Sequence, residues 1–184
     1  VNKYFVELFW ESAHDLDVHA VMMSKGSHNN DTQNIVSTYN PTLVLLENKT
    51  INHVPGGKKP FCNTSESVIH MGDAQSGIQV NEQQPDETVA INIANIPNIR
   101  DQIMFFISIH PPSSAKFDQV KNAKMIVRAE DGTKCFQANI TSDFNAYDIA
   151  QLGSFKKNST TGEWQFDPSS MGLNGDFNSI VAAT

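Results

Sequence analysis

Cysteine is nearly absent: 184 residues carry only Cys62 and Cys135. Two cysteines cannot build a disulfide scaffold, and two free thiols are expected. Positive charge is also short, with 13 Lys and Arg against 20 Asp and Glu, a net charge of −7. Nucleic-acid binding rests on basic patches, so this balance argues against it and leaves cations as partners. Long apolar runs are missing. A membrane-spanning helix needs ~20 apolar residues, whereas the strongest run here, Ile103 to Ile109, is strand-sized. No leader-like stretch precedes Val1, and a start at Val suggests excision from a longer chain. Helical periodicity is missing as well, since no dozen residues repeat their apolar positions every 3.6.

What remains is alternation with period two. Val89, Ile91 and Ile93 fall on one face of an extended segment, as do Phe136, Ala138 and Ile140. Successive strand side chains point to opposite faces, so such segments read as half-buried strands. Asp131-Gly132 separates the runs 122–129 and 133–140, a hairpin signal because Gly accepts positive φ without steric cost. Further strands are expected at 4–10, 17–23, 43–47, 148–156 and 162–166. The run 103–109 is apolar on both faces and belongs in a sheet centre. A short helical turn is expected at Asn98–Gln102, after Pro97. Many short strands with frequent turns predict a single all-β domain over 1–184, an antiparallel two-sheet β-sandwich. The segment 26–60 has a different texture, with Ser, Asn, Asp, Gly and Pro around Leu43 to Leu46. It reads as an inserted, hairpin-like excursion whose removal (Ser27–Lys59) should leave a folded domain.

Acidic residues cluster twice. Asp15 and Asp17 lie two apart before a strand, so their carboxylates share one side of an extended backbone. Gly72, Asp73, Gly77, Asp86 and Glu87 form the second group. Converging carboxylates repel unless a cation lies between them, and hard oxygens on loops suit Ca²⁺. Turn aspartates also bond their own backbone. Zinc at His14 and His19 would need more converging ligands than these. Cys62 with His70 could pair as nucleophile and base, but no orienting acid accompanies them. An Asp-x-Asp metal site of the glycosyltransferase kind needs an α/β sheet, which this pattern does not offer. Trp10, Trp164 and Phe166 read as core or edge aromatics.

Several pieces, in order, resemble the TerD (tellurium-resistance) family. They are a strand ending in Trp10, then Asp15-Leu16-Asp17, Phe61-Cys62-Asn63, and Val68-Ile69-His70-Met71-Gly72-Asp73. Asp86-Glu87 follows with Val89–Ile93 and Ile96-Pro97, then a strand ending in Ile109-His110. Phe117, Val120, Asn122 and Ala123 come next, and Gly153 with Gly162-Glu163-Trp164 and Phe166 closes the series. The resemblance implies a sandwich with Ca²⁺ held by Asp15, Asp17, Asp73, Asp86 and Glu87, with Asn63 as a further oxygen. Ala74 and Pro85 stand where the family offers oxygen ligands, so one weak site, or none, is expected rather than two. The implied function is non-enzymatic: a cytoplasmic stress-response domain acting through other protein subunits. The alternative is a structural module of a larger assembly, such as a phage virion or secreted particle.

Overall fold

The computed structural model describes residues 2–45, 59–72, 74, 77, 84–111 and 113–184. Twelve strands form there: β1 (Lys3–Glu11), β2 (Leu16–Met23), β3 (Ile35–Val36), β4 (Val44–Leu45), β5 (Phe61–Cys62), β6 (Val68–His70), β7 (Glu87–Asn92), β8 (Gln102–Ile109), β9 (Lys121–Ala129), β10 (Lys134–Asn139), β11 (Ile149–Lys157) and β12 (Trp164–Leu173). They make two sheets, in the orders β10-β9-β1-β7-β6-β5-β4 and β12-β11-β8-β2-β3. Every pairing between these strands is antiparallel. The fold is therefore the expected two-sheet β-sandwich.

Alternation decides what faces inward. Val6, Leu8 and Trp10 of β1 pack against Leu16, Val18, Ala20 and Met22 of β2 and Ile103, Phe105 and Ile107 of β8, all in one core cluster. The Asp131-Gly132 turn closes the β9–β10 hairpin, with Gly132 at φ +91° and its N–H bonded to the Ala129 carbonyl at 2.9 Å. β8 lies at the centre of its sheet, as its two apolar faces require. Its outer face is covered by a helix that the sequence reading missed. This is α2 (Phe177–Ala182), preceded by the four-residue α1 (Ile140–Asp143). Asp176 caps α2 by accepting the Ser179 N–H at 3.1 Å. Phe177 and Val181 of α2 then form a second cluster with Val21, Met23, Phe106 and Ile149. His19 is buried beneath it, stacked on Phe177 at 3.8 Å between centroids. Both ring nitrogens are 2.7 Å from hydroxyls, those of Ser37 and Ser108. Burial holds this imidazole well below its ordinary pKa, so it stays neutral.

Three local expectations are corrected. Asn98–Gln102 is not helical: Pro97 to Arg100 makes a single turn, Gln102 already belongs to β8, and the short 3₁₀ turn lies at Ile93–Asn95. β12 runs past Phe166 to Leu173, because an edge strand tolerates Pro168, which sits in a shift of register between Asp167 and Ser170. The segment 26–60 is not an appended hairpin in its described part. β3 pairs with β2 in one sheet, while β4 pairs with β5 in the other. Val36 is fully buried in the main core, and Asn34 and Ser37 are buried beside it. Residues 46–58 of that excursion lie outside the described residues.

Val36→Ala tests this integration. It should cost about 2 kcal/mol in urea unfolding, as loss of buried apolar groups from a core does. An appended segment would leave the unfolding midpoint of the sandwich unchanged.

Candidate metal centre

The register of β2 against β8 builds one end of the sandwich. Leu16 pairs with Ile109, which sets the next residues out, Asp15 and His110, opposite each other. The His110 N–H bonds to the Asp15 carbonyl at 2.7 Å and extends the ladder by one step. Leu16 points into the core, so Asp15 and Asp17 share the other face. Asp17 is 1% exposed. Its Oδ2 accepts the Tyr39 hydroxyl at 2.6 Å and lies 2.9 Å from His110 Nδ1. Asp15 Oδ2 is 3.9 Å from the same nitrogen. One donor atom from each of Asp15, Asp17 and His110 lies within 4.8 Å of the others. Burial, and then the Asp17 carboxylate, push the Tyr39 phenol well above its ordinary range, so the phenol keeps its proton for that bond.

Asp86 and Glu87 accept backbone N–H groups. The β1–β7 pairing ends at Leu8 opposite Glu87. Beyond it the Asp86 N–H bonds to the Leu8 carbonyl at 2.9 Å, and Asp86 Oδ2 accepts the Trp10 N–H at 2.9 Å. A side chain thus continues a ladder that the backbone leaves. Glu87, 1% exposed, crosses to the other sheet. Its Oε1 accepts the Val18 N–H at 3.2 Å, and its Oε2 accepts the Ala74 N–H at 3.1 Å. His70 adds a further donor. Its Nδ1 accepts the Gly72 N–H at 3.1 Å, so the ring proton sits on Nε2, 3.3 Å from Glu87 Oε1. These donors satisfy the oxygens of a buried carboxylate.

Asn63 is not brought to this end. Its Oδ1 accepts the N–H groups of Ser67 and Val68, and its Nδ2 lies 3.8 Å from Met22 Sδ. Met22 is five residues along β2 from Asp17, ~17 Å at strand rise. Asn63 therefore holds a turn. Asp73 lies outside the described residues. His70 is taken up with Glu87 and Gly72 and stacks on Phe61 at 4.6 Å, so its role here is structural. Gly77 pairs with Ser12 through two backbone hydrogen bonds, and a Cβ there would run into the Trp10 carbonyl and indole. Only glycine lets position 77 lie this close to Trp10. Sequence reasoning missed His110 and Tyr39 as site residues. The strand end at Ile109-His110 held a signal for the first, but only the β2–β8 register turns it into a neighbour of Asp15. Nothing in local pattern pointed to Tyr39.

The TerD domain family model matches residues 1–183. General stress protein 16U of Bacillus subtilis (strain 168) is 31% identical over 112 residues, covering 59% of this chain and 55% of that protein. Tellurium resistance protein TerD of Serratia marcescens is 27% identical over 119 residues, covering 63% and 59%. The matches to these curated relatives thus span less than two-thirds of the relatives' own length. Among solved structures, a homologue of telluride resistance protein (TerD) from Streptomyces coelicolor A3(2) aligns with TM-score 0.70 at 14% identity, over 98% of this chain and 95% of that one. A crystal structure of a protein of unknown function aligns with TM-score 0.74 at 16% identity and the same coverage. At these identities the structural likeness shows the fold.

Glu87→Gln tests the buried carboxylate. The amide –NH₂ would face a backbone or imidazole donor, leaving two donors opposed. Urea unfolding should show a loss of about 2 kcal/mol, the cost of an unsatisfied buried group. An unchanged midpoint would mean that the Val18 and Ala74 amides do not depend on Glu87.

Proposed function

The chain belongs to the TerD domain family, and from that premise we propose that it is a non-enzymatic Ca²⁺-binding module that acts by contacting other proteins. The observation that carries the reading is the convergence of Asp15 and Asp17 on one side of the β2 start. Two hard carboxylates there suit Ca²⁺, which takes six to eight oxygen ligands. Asp15 and Asp17 would hold the ion. Asp86 and Glu87 fit a supporting part better, because their oxygens accept backbone N–H groups of Trp10, Val18 and Ala74. When bound, the ion would neutralise the acidic end and order it for a partner surface. Glu87 fixes the backbone next to Asp17, and Tyr39 fixes the Asp17 carboxylate itself.

The names of the relatives, a general stress protein and a tellurium resistance protein, support a stress role. The non-enzymatic part is supported by His70, whose two ring nitrogens are taken by Glu87 and Gly72 rather than free to act as a base for Cys62.

Thermal unfolding in EDTA, Mg²⁺ and Ca²⁺ tests the reading. Affinity should be modest, ~10⁻⁵ to 10⁻³ M, within the range of looser oxygen sites. At a hundredfold excess over Kd, Ca²⁺ should add about 2.7 kcal/mol, a rise of about 5–10 °C for a domain of this size. Mg²⁺ should add less, and Asp15→Asn should remove the Ca²⁺ shift. No Ca²⁺-dependent shift at millimolar ion would refute Ca²⁺ binding.

A further inference from the structure

We propose that Ser108, oriented by the buried His19, is a positioning residue for Asp17, acting through Tyr39 along a hydrogen-bond relay that runs in one direction. The inference rests on reading Asp15 and Asp17 as the cation site and adds what holds one of them from behind. Strand alternation puts Asp17 and His19 on the same face of β2, and the register sets Ser108 of β8 opposite Asp17. Ser37 and Tyr39 follow β3, which pairs with β2 at Ala20 and Val21. His19 and Ser37 are fully buried, and Ser108 is 3% exposed. Phe177 of α2 stacks on the imidazole and covers it.

The buried hydroxyls fix the direction of the relay. Ser37 Oγ accepts the Tyr39 N–H at 3.0 Å and lies 2.7 Å from His19 Nδ1. A buried O–H needs an acceptor, and among the described residues Nδ1 is the acceptor that Ser37 reaches. The neutral imidazole therefore carries its proton on Nε2 and donates it to Ser108 Oγ, 2.7 Å away. Ser108 in turn donates to the Tyr39 phenol oxygen, to which it is hydrogen-bonded. Tyr39 then donates to Asp17 Oδ2 at 2.6 Å. Each of the hydroxyls of Ser108 and Tyr39 thus accepts on one side and donates on the other. The opposite tautomer, with the proton on Nδ1, would leave the Ser37 hydroxyl without an acceptor. It would also turn the Ser108 proton back to Nε2, away from Tyr39. The tautomer of a buried histidine thereby decides whether the phenol that holds Asp17 is itself held. Groups that orient a ligand from outside the ligand set commonly carry about tenfold or more of the affinity for the ion.

The test is NMR of the full chain in EDTA, with nitrogen-labelled histidine and carbon-labelled tyrosine and aspartate, followed by calorimetric titration with Ca²⁺. The variants are Ser108→Ala, Ser108→Thr, Tyr39→Phe and the double variant Ser108→Ala/Tyr39→Phe. Circular dichroism and melting first establish that each is folded. Threonine keeps the hydroxyl, and a pocket of about 100 Å³ bordered by Ser108 has room for its methyl group. In wild type, His19 should carry its proton on Nε2. Ser108→Ala should shift the Tyr39 Cζ and Asp17 Cγ resonances, and Ser108→Thr should return both to their wild-type positions. Ca²⁺ affinity should fall about tenfold in Ser108→Ala and recover in Ser108→Thr. The double variant should bind Ca²⁺ within about twofold of Tyr39→Phe alone, because Ser108 acts through Tyr39. A His19 proton on Nδ1 would overturn the proposal, as would Tyr39 and Asp17 resonances unmoved by Ser108→Ala. Additive losses in the double variant would overturn it too, since Ser108 would then act by another route. An Nε2 proton with both resonances moved by Ser108→Ala and restored by Ser108→Thr, but no Ca²⁺ binding in wild type, would support the relay and refute the Ca²⁺ reading alone.

Discussion

A buried carboxylate must be met by donors, and at the start of β7 two of them are. Asp86 and Glu87 are 7% and 1% exposed. An ionised carboxylate left alone at that depth would cost several kcal/mol. The chain supplies backbone N–H groups from three separate stretches: Trp10 at the end of β1, Val18 near the start of β2, and Ala74 in the acidic segment. Satisfying these charges therefore fixes how the two sheets meet at one end. The bond from Glu87 to Val18 crosses from one sheet to the other, where side-chain packing alone would allow some sliding. The close approach of Gly77 to Trp10 and the spent imidazole of His70 follow from the same arrangement.

Asp15 and Asp17 gain their geometry from this end. Asp17 is next to Val18, whose amide Glu87 holds, and its own carboxylate takes the Tyr39 hydroxyl. The acidic residues thus divide into two kinds. Asp86 and Glu87 look inward and build the end; Asp15 and Asp17 meet His110 on the face where Asp15 and His110 reach solvent. The proposed cation site rests on the second pair, while the first holds backbone amides. The neutral His19 and α2 cover the same face of β2 further along and keep solvent from that part of the strand.

Most of the sandwich was legible because strand alternation is a local property. Val89 with Ile91, and Phe136 with Ala138, show their inward face within a few residues, and Gly132 marks its hairpin by one conformation. The central place of β8 followed from its two apolar faces. Their cover was harder to see: α2 has one and a half turns, with Asp176 and Ser179 as its cap and Phe177, Ile180 and Val181 as its apolar side. In the described part of 26–60 the place of β3 was not legible, because it is two residues long and declares no alternation; only its pairing with Ala20 and Val21 gives it a sheet. Asp15 and Asp17 were readable as an acidic pair from spacing, and Asp86 and Glu87 as an acidic pair at a strand entry. Their division of labour was not, because it depends on which backbone amides the fold leaves near each carboxylate. Asn63 shows the same limit, since its place at the far end of β2 comes from the register of β5, β6 and β7.

The central claim is that the chain's own hydrogen bonds build the acidic end without an ion. Amide hydrogen exchange of the metal-free protein in EDTA, read residue by residue, tests it most directly. The Trp10, Val18 and Ala74 amides should exchange as slowly as core strand amides such as those of Phe105 and Val127, because each is bonded to a carboxylate that is itself buried. Exchange at the rate of open loops at these three positions, with the core strands still protected, would contradict the account.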